Sequence, residues 1–240
     1  MSIKEFILKE IDGEMCAIPN PVFEKEKAQK SYDLFLKKSG IPSFYWNIDF
    51  KDYQGNKESK QFKSVEYYAQ NLKNPLLAHA HLYLHGLNSS QKTALAINVL
   101  KEGIRQKLKV HFTLAGTLIA KLMKVQGFKE DVEISNYLEM LKTCDVICID
   151  DAFDPDKSLM WKKSDNKNMI VSEWDTFLRE LISSNTKIIL TSNFNLEIID
   201  QYYSKSIHEL VERNFAVLEF TESVKAHRKS MVTDIFKHIK

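Results

Sequence analysis

The stretch LYLHGLNSSQKTALA (82–96) decides how this chain is read. An apolar run at 82–85 leads into Gly86, and Lys92-Thr93 opens a helix-like run. A loop in this position can hold phosphate. Successive backbone N–H groups converge at the start of a helix, and the helix dipole favours negative charge there. The spacing is that of G-x-x-x-x-G-K-[ST], in which the Lys reaches the β- and γ-phosphates of a bound nucleotide and the hydroxyl ligates Mg²⁺. Gly86, Lys92 and Thr93 fit that pattern, whereas Gln91 stands where the second Gly belongs. That position lies close to the phosphates and favours torsions that Gly tolerates best. Asn88, Ser89 and Ser90 are small and add hydrogen-bonding side chains. The competing reading is a Ser-rich helix N-cap with Lys92 and Thr93 on the first turn.

Outward from this stretch, apolar runs alternate with helix-length segments. The runs are 82–85, 110–114, 146–149, 187–191 and 216–220, each typical of a buried strand. Helices are expected near 92–107, 115–126, 133–143, 173–184, 196–202 and 206–214. This alternation predicts an α/β fold, a five-stranded, mostly parallel sheet sandwiched by helices. About 20 residues remain after the last strand, room for one terminal helix.

Three further stretches carry chemistry. CDVICIDDAF (144–153) ends a buried strand in Asp150 and Asp151. Ligands of open parallel sheets bind at the carboxyl ends of strands. Paired carboxylates there are costly without a cation or partner, although acids also end strands simply because loops begin there. The first acid suits Mg²⁺ and the second suits orienting an attacking water. KIILTSNFN (187–195) places Thr191-Ser192-Asn193 after a strand. Asn193 can reach a water or a γ-phosphate, or can serve only as a turn or cap. IHELVERNF (207–215) places Arg213 near a helix end, either offsetting the dipole or acting on a neighbouring subunit's nucleotide.

Composition excludes several classes. With 34 basic and 32 acidic residues the net charge is +2, so bulk polyanion binding is not indicated and nucleic-acid contact requires local patches. Cys16, Cys144 and Cys148 form no C-x-x-C pair, and the expectation is buried, reduced thiols. His79, His81 and His85 lack an added acid or Cys ligand, so they do not read as a metal site. No apolar run approaches a membrane span, and the charged start is no secretory signal, so the chain is expected in the cytoplasm, with no membrane partner. Residues 1–40 read as a small, partly helical partner-docking segment. In it, Val22, Ala28, Tyr32, Leu34 and Phe35 supply the apolar side of a helix after Pro19 and Pro21. Residues 41–75 read as a linker and lead-in segment, with a charged, turn-like stretch at 50–63, and 76–240 as the core. Trp161 beside Lys162 and Lys163 suggests a base-stacking loop for single-stranded DNA, or a surface loop with its Trp tucked inward. Basic residues also gather at Lys101, Arg105, Lys107 and Lys109, and at Lys225, Arg228 and Lys229, as solvated faces or patches.

Taken in order, strand–loop–Lys-Thr, strand–Asp-Asp, strand–Asn, helix–Arg, strand resembles the AAA+ ATPases. The chain looks most like their bacterial helicase-loader branch, the DnaC/DnaI and IstB-like proteins. SGIPSFYWNIDFKDY (39–53), YLEMLKTCDVICIDDAF (137–153), LTSNFNLEIID (190–200) and FTESVKAH (220–227) carry the resemblance, over roughly residues 38–228. That family also ends soon after the fifth strand, without the helical lid of most AAA+ proteins. The resemblance implies Lys92 and Thr93 as the Walker-A pair, Asp150 as Mg²⁺ ligand and Asp151 as catalytic acid. It further implies Asn193 as sensor 1, Arg213 as arginine finger and Lys225 at the sensor-2 position. It implies ATP and Mg²⁺ as cofactors, self-association through the ATP interface, single-stranded DNA, and a DnaB-type replicative helicase held by the N-terminal segment. Three departures stand against fast hydrolysis: Gln91 for Gly, Lys225 for Arg, and a short 181–188 segment lacking the family's Arg. Two alternatives stay open, a non-hydrolysing adaptor with a decayed site and an IstB-like transposition helper. The degenerate loop and divergent N-terminus suggest a phage or mobile-element version.

Overall fold

The structure is a computed structural model and describes residues 5–12, 14–125, 131–154 and 167–224. The chain opens with β1 (Phe6–Ile11) and β2 (Glu14–Pro19), an antiparallel hairpin in register Phe6↔Pro19 to Ile11↔Glu14. The expectation of a partly helical start is therefore corrected over residues 6–19. The hairpin buries no residue, so neither face left a burial pattern in the sequence.

Helix α1 (Pro21–Lys38) begins where Pro21 occupies the first turn and the Asn20 side chain accepts the Val22 amide at 3.0 Å. Its expected apolar side is also corrected. Val22, Leu34 and Phe35 are each more than half exposed, and Leu36 is the buried residue. At about 100° per residue, positions 28, 32 and 35 share one stripe, but 22 and 34 fall to either side of it, so the five do not make a single face.

The 50–63 stretch is turn-like only up to Ser59. Helix α2 (Lys60–Gln70) follows, capped by the Ser59 side chain on the Phe62 amide, and buries Phe62, Val65, Tyr68 and Ala69. The linker reading of this stretch is corrected from Lys60 onward, because an i, i+3, i+7 stripe runs beneath the charged residues.

Beyond it the α/β alternation is realised. The elements are β3 (His81–Gly86), α3 (Lys92–Arg105), β4 (Val110–Leu114), α4 (Ala115–Val125), α5 (Val132–Lys142) and β5 (Val146–Asp150). They continue with α6 (Lys167–Ser183), β6 (Lys187–Ser192), α7 (Leu196–Tyr202), α8 (Lys205–Asn214) and β7 (Phe215–Phe220). The sheet order is β4-β5-β6-β3-β7, and all four pairings are parallel. Alternate residues feed two cores. Tyr83, Ile147, Ile149, Ile188 and Leu190 face the layer holding α4 to α6 and α8. Leu82, Leu84, Val146, Cys148 and Ile189 face the layer of α1, α2 and α3. Helices on both faces are what a parallel sheet requires. The last strand corrects one detail, since β7 is an edge and exposes Ala216, Val217 and Glu219 instead of being buried throughout. Cys144 and Cys148 are buried thiols, while Cys16 is only half-buried on β2. The terminal helix expected after β7 lies outside the described residues.

Candidate functional site

The site grows from the turn between β3 and α3. Gly86 has φ +129°, and a Cβ there would run into the Phe220 carbonyl of β7. Its glycine is therefore required by the neighbouring strand, whose Phe220 carbonyl also accepts the Leu87 amide at 3.0 Å. Ser89 (φ +64°) and Gln91 (φ +63°) both adopt left-handed backbone. The reading that position 91 favours Gly-type torsions is thus realised by a glutamine. Gln91 is the N-cap of α3 and makes no side-chain capping bond, so the Ser-rich cap reading fails. The first-turn amides of α3 carry no side-chain cap, which is the arrangement that receives an anion.

Around this turn the chemistry-bearing side chains meet. Lys92 is buried, and its Nζ donates to the carbonyls of Gly86 (2.9 Å) and Leu87 (2.8 Å), to Ser90 Oγ (3.1 Å) and to Asn193 Oδ1 (3.3 Å). Thr93 Oγ1 donates to Asp150 Oδ1 at 2.7 Å. Thr191 reads from the sequence only as part of the polar run before Asn193, yet it organises both acids. Its hydroxyl donates to Asp150 Oδ1 and accepts the Asp151 amide at 3.2 Å. Asp151 itself sits at φ +55°, in the left-handed region. The turn and cap work of the 192–195 segment falls on other residues. Ser192 Oγ accepts the Phe194 amide, and Asn195 caps α7 through the Ile198 amide. Asn193 is left facing Lys92. Thr93 and Asp150 together present hard oxygen donors of the kind Mg²⁺ takes alongside water and phosphate, so the donor set fits that ion. Among the described residues no group of three or more His, Cys, Asp or Glu could hold a metal by itself.

These groups line a cleft of about 510 Å³, together with Asn88, Ser89 and Gln91. Its other wall is apolar and comes from the 39–53 segment: Pro42, Phe44, Tyr45 and Ile48. That wall is held by a residue whose role was not legible. Lys101 of α3 is 1% exposed, not part of a solvated basic face. Its Nζ lies 3.0 Å from Asp49 Oδ1 and donates to the Ile48 carbonyl at 2.6 Å. Arg105 Nη2 joins the same carboxylate oxygen at 2.9 Å. Burial alone would raise the Asp49 carboxyl, but the bonds to Arg105 and Lys101 outweigh it and hold it below its ordinary value. Burial pulls Lys101 below its ordinary value against the opposing pull of Asp49. Gln91 Oε1 accepts the Gln54 amide at 3.0 Å, which ties the loop to the residue immediately after this segment.

The remaining sites fall elsewhere. Arg213 is exposed on the last turn of α8, paired with Glu209 at 3.2 Å and outside the cleft. Lys109 Nζ donates to Thr143 Oγ1. His81 is a core residue whose Nδ1 accepts the Ile188 amide at 3.2 Å. Lys225, Arg228, Lys229 and the Trp161–Lys163 stretch lie outside the described residues. No helix among the described residues is long and apolar enough to cross a membrane.

The sequence matches no family model and no curated protein. Solved structures do match. The replication initiator DnaA bound to AMPPCP and single-stranded DNA superposes with a TM-score of 0.59 at 16% identity, covering 82% of this chain and 56% of that one. The DnaC helicase loader gives 0.57 at 16% identity, over 75% of this chain and 100% of that one. DnaI gives 0.57 at 16% identity, over 76% and 92%. The chain thus spans little more than half the length of the DnaA structure and nearly all of the two loader structures. At this identity the likeness shows the fold alone, a five-stranded parallel sheet between helices shared with these structures.

Proposed function

We propose that this chain is a helicase-loader-like AAA+ ATPase. It binds ATP with Mg²⁺ between subunits and binds single-stranded DNA. In this reading it helps place a DnaB-type replicative helicase on DNA at replication initiation. The observation that carries the reading is the convergence of Lys92, Thr93, Asp150, Asp151 and Asn193, from one loop and two further strand ends, on a single cleft. The apolar wall of Pro42, Phe44, Tyr45 and Ile48 suits a purine ring, and the uncapped α3 amides suit a polyphosphate. DnaC, DnaI and DnaA with AMPPCP and single-stranded DNA share the fold, which supports this class of ligand and partner.

In this reading Lys92 leaves its loop carbonyls to meet the β- and γ-phosphate oxygens. Thr93 and Asp150 would hold Mg²⁺, which would supply neutralisation of phosphate charge when bound. Asp151 orients and polarises the attacking water, and Asn193 hydrogen-bonds that water or the γ-phosphate. Arg213, exposed and away from its own cleft, acts on the nucleotide of a neighbouring subunit, and Lys225 contributes charge at the sensor-2 position. Turnover is weak and nucleotide state acts mainly as a switch. Residues 1–40 dock the helicase, 41–75 supply the lead-in, and 76–240 form the ATPase core.

The test is fluorescence anisotropy of labelled oligothymidylate with Mg²⁺ and a non-hydrolysable ATP analogue, with ADP, or with no nucleotide. Tighter binding with the analogue, lost in Asp150→Asn, is expected. DNA binding that ignores nucleotide, or no DNA binding at all, would overturn the loader role.

A further inference from the structure

We infer that Gln91 is a positioning residue that couples the phosphate loop to the base-side wall of the cleft; this rests on the nucleotide reading above. Three observations carry it. Gln91 holds a left-handed backbone, φ +63° and ψ +22°, where a glycine would sit without strain. The Gln91 carboxamide oxygen accepts the Gln54 amide, 37 residues away, at 3.0 Å. A backbone N–H can only donate, so this bond fixes which end of the carboxamide is oxygen. The opposite end, Nε2, is screened from solvent and has no hydrogen-bond partner among the described residues.

A buried amide donor without a partner is costly, and an arriving acceptor removes that cost. Gln91 lines the cleft beside Ser90 and Lys92, so a ligand oxygen reaches the screened Nε2 only as the loop shifts on binding. The wall is also fastened at Asp49 by Lys101 from within α3. The Gln54 link differs because it rises from the loop itself, so a ligand that moves the loop moves the wall with it. The glutamine is then not a worn-out glycine. It trades backbone ease for a connection between the part of the ligand bearing charge and the part bearing the ring.

The test compares wild type, Gln91→Gly and Gln91→Met with excess Mg²⁺, measuring affinity for ATP and for inorganic tripolyphosphate. Wild type is expected to prefer ATP. Both variants should lose about tenfold of that preference, the worth of one lost hydrogen bond. In ligand-free protein, hydrogen exchange of the Gln54 amide should quicken in both variants. An unchanged ATP-to-tripolyphosphate ratio overturns the coupling. If wild type binds neither ligand, the nucleotide reading itself fails. Gln54 exchange still reads the link in that case, and exchange equal in all three proteins overturns it.

Discussion

Asp150 lies at the end of β5 with 6% of its surface exposed, and a carboxylate so placed needs donors to remain. Thr93 and Thr191 provide them from two different elements, and Thr191 also takes the Asp151 amide. The pair of acids is thus set by hydroxyl hydrogen bonds before any ligand arrives. A second buried polar residue makes a claim about pH. Burial holds His81 neutral and lowers its pKa to about 4, with His79 and Lys187 adding to the effect, and the Ile188 amide needs its Nδ1 unprotonated. The unfolded chain takes up that proton near pH 6.5 and the folded chain refuses it. Stability is therefore full above pH 6.5 and falls as pH drops towards 4, by at most about 3 kcal/mol from this residue. Urea midpoints taken across that range should fall on acidification. The fall should shrink in His81→Asn, whose carbonyl oxygen takes the place of Nδ1 without titrating. An identical pH profile in that variant would refute the assignment.

At the scale of elements, α3 does two jobs. Its first turn faces the cleft, and its third turn carries Lys101 under the 39–53 segment. Replacing Lys101 by Met keeps the volume but removes the ammonium from Asp49 and from the Ile48 carbonyl. Arg105 still reaches Asp49, so the cost is expected at about 1–3 kcal/mol rather than that of an orphaned buried charge. Faster hydrogen exchange confined to residues 41–53 would accompany it, and a variant matching wild type in both readouts would contradict the clamp. Why such features escaped a reading of the sequence follows from their physics. Four of the sheet strands are buried on both faces, so their apolar runs were plain. The Lys-Thr, Asp-Asp and Asn motifs were plain because local spacing determines them. Lys101 was not, since lysine is ordinarily a surface residue and its partner lies 52 positions away. Helix α2 was legible in principle through Phe62, Val65 and Ala69, but the charges between them hid the stripe. The hairpin of β1 and β2 buries nothing, so it left no alternation to find.

For the whole molecule, sheet order is what makes the site. Because β6 and β5 follow β3 in the order β4-β5-β6-β3-β7, the carboxyl ends carrying the loop, Asn193 and Asp150 lie side by side. In a parallel sheet those ends all face one way, so three distant sequence stretches open on one cleft. The same order leaves β7 at the edge, where it clamps Gly86 and fixes the start of the loop. The resulting architecture is the one shared with DnaA, DnaC and DnaI structures at 16% identity, which places the fold well beyond what sequence similarity reveals. The central claim is that this cleft takes a nucleotide through Lys92. The most direct measurement is equilibrium binding of a fluorescent ATP analogue with Mg²⁺ to wild type and to Lys92→Ala. The account predicts saturable binding to wild type, on the order of micromolar, and a loss of at least about tenfold in Lys92→Ala, the least expected from a charge-assisted bond. Equal binding by both proteins, or no saturable binding by wild type, would contradict it.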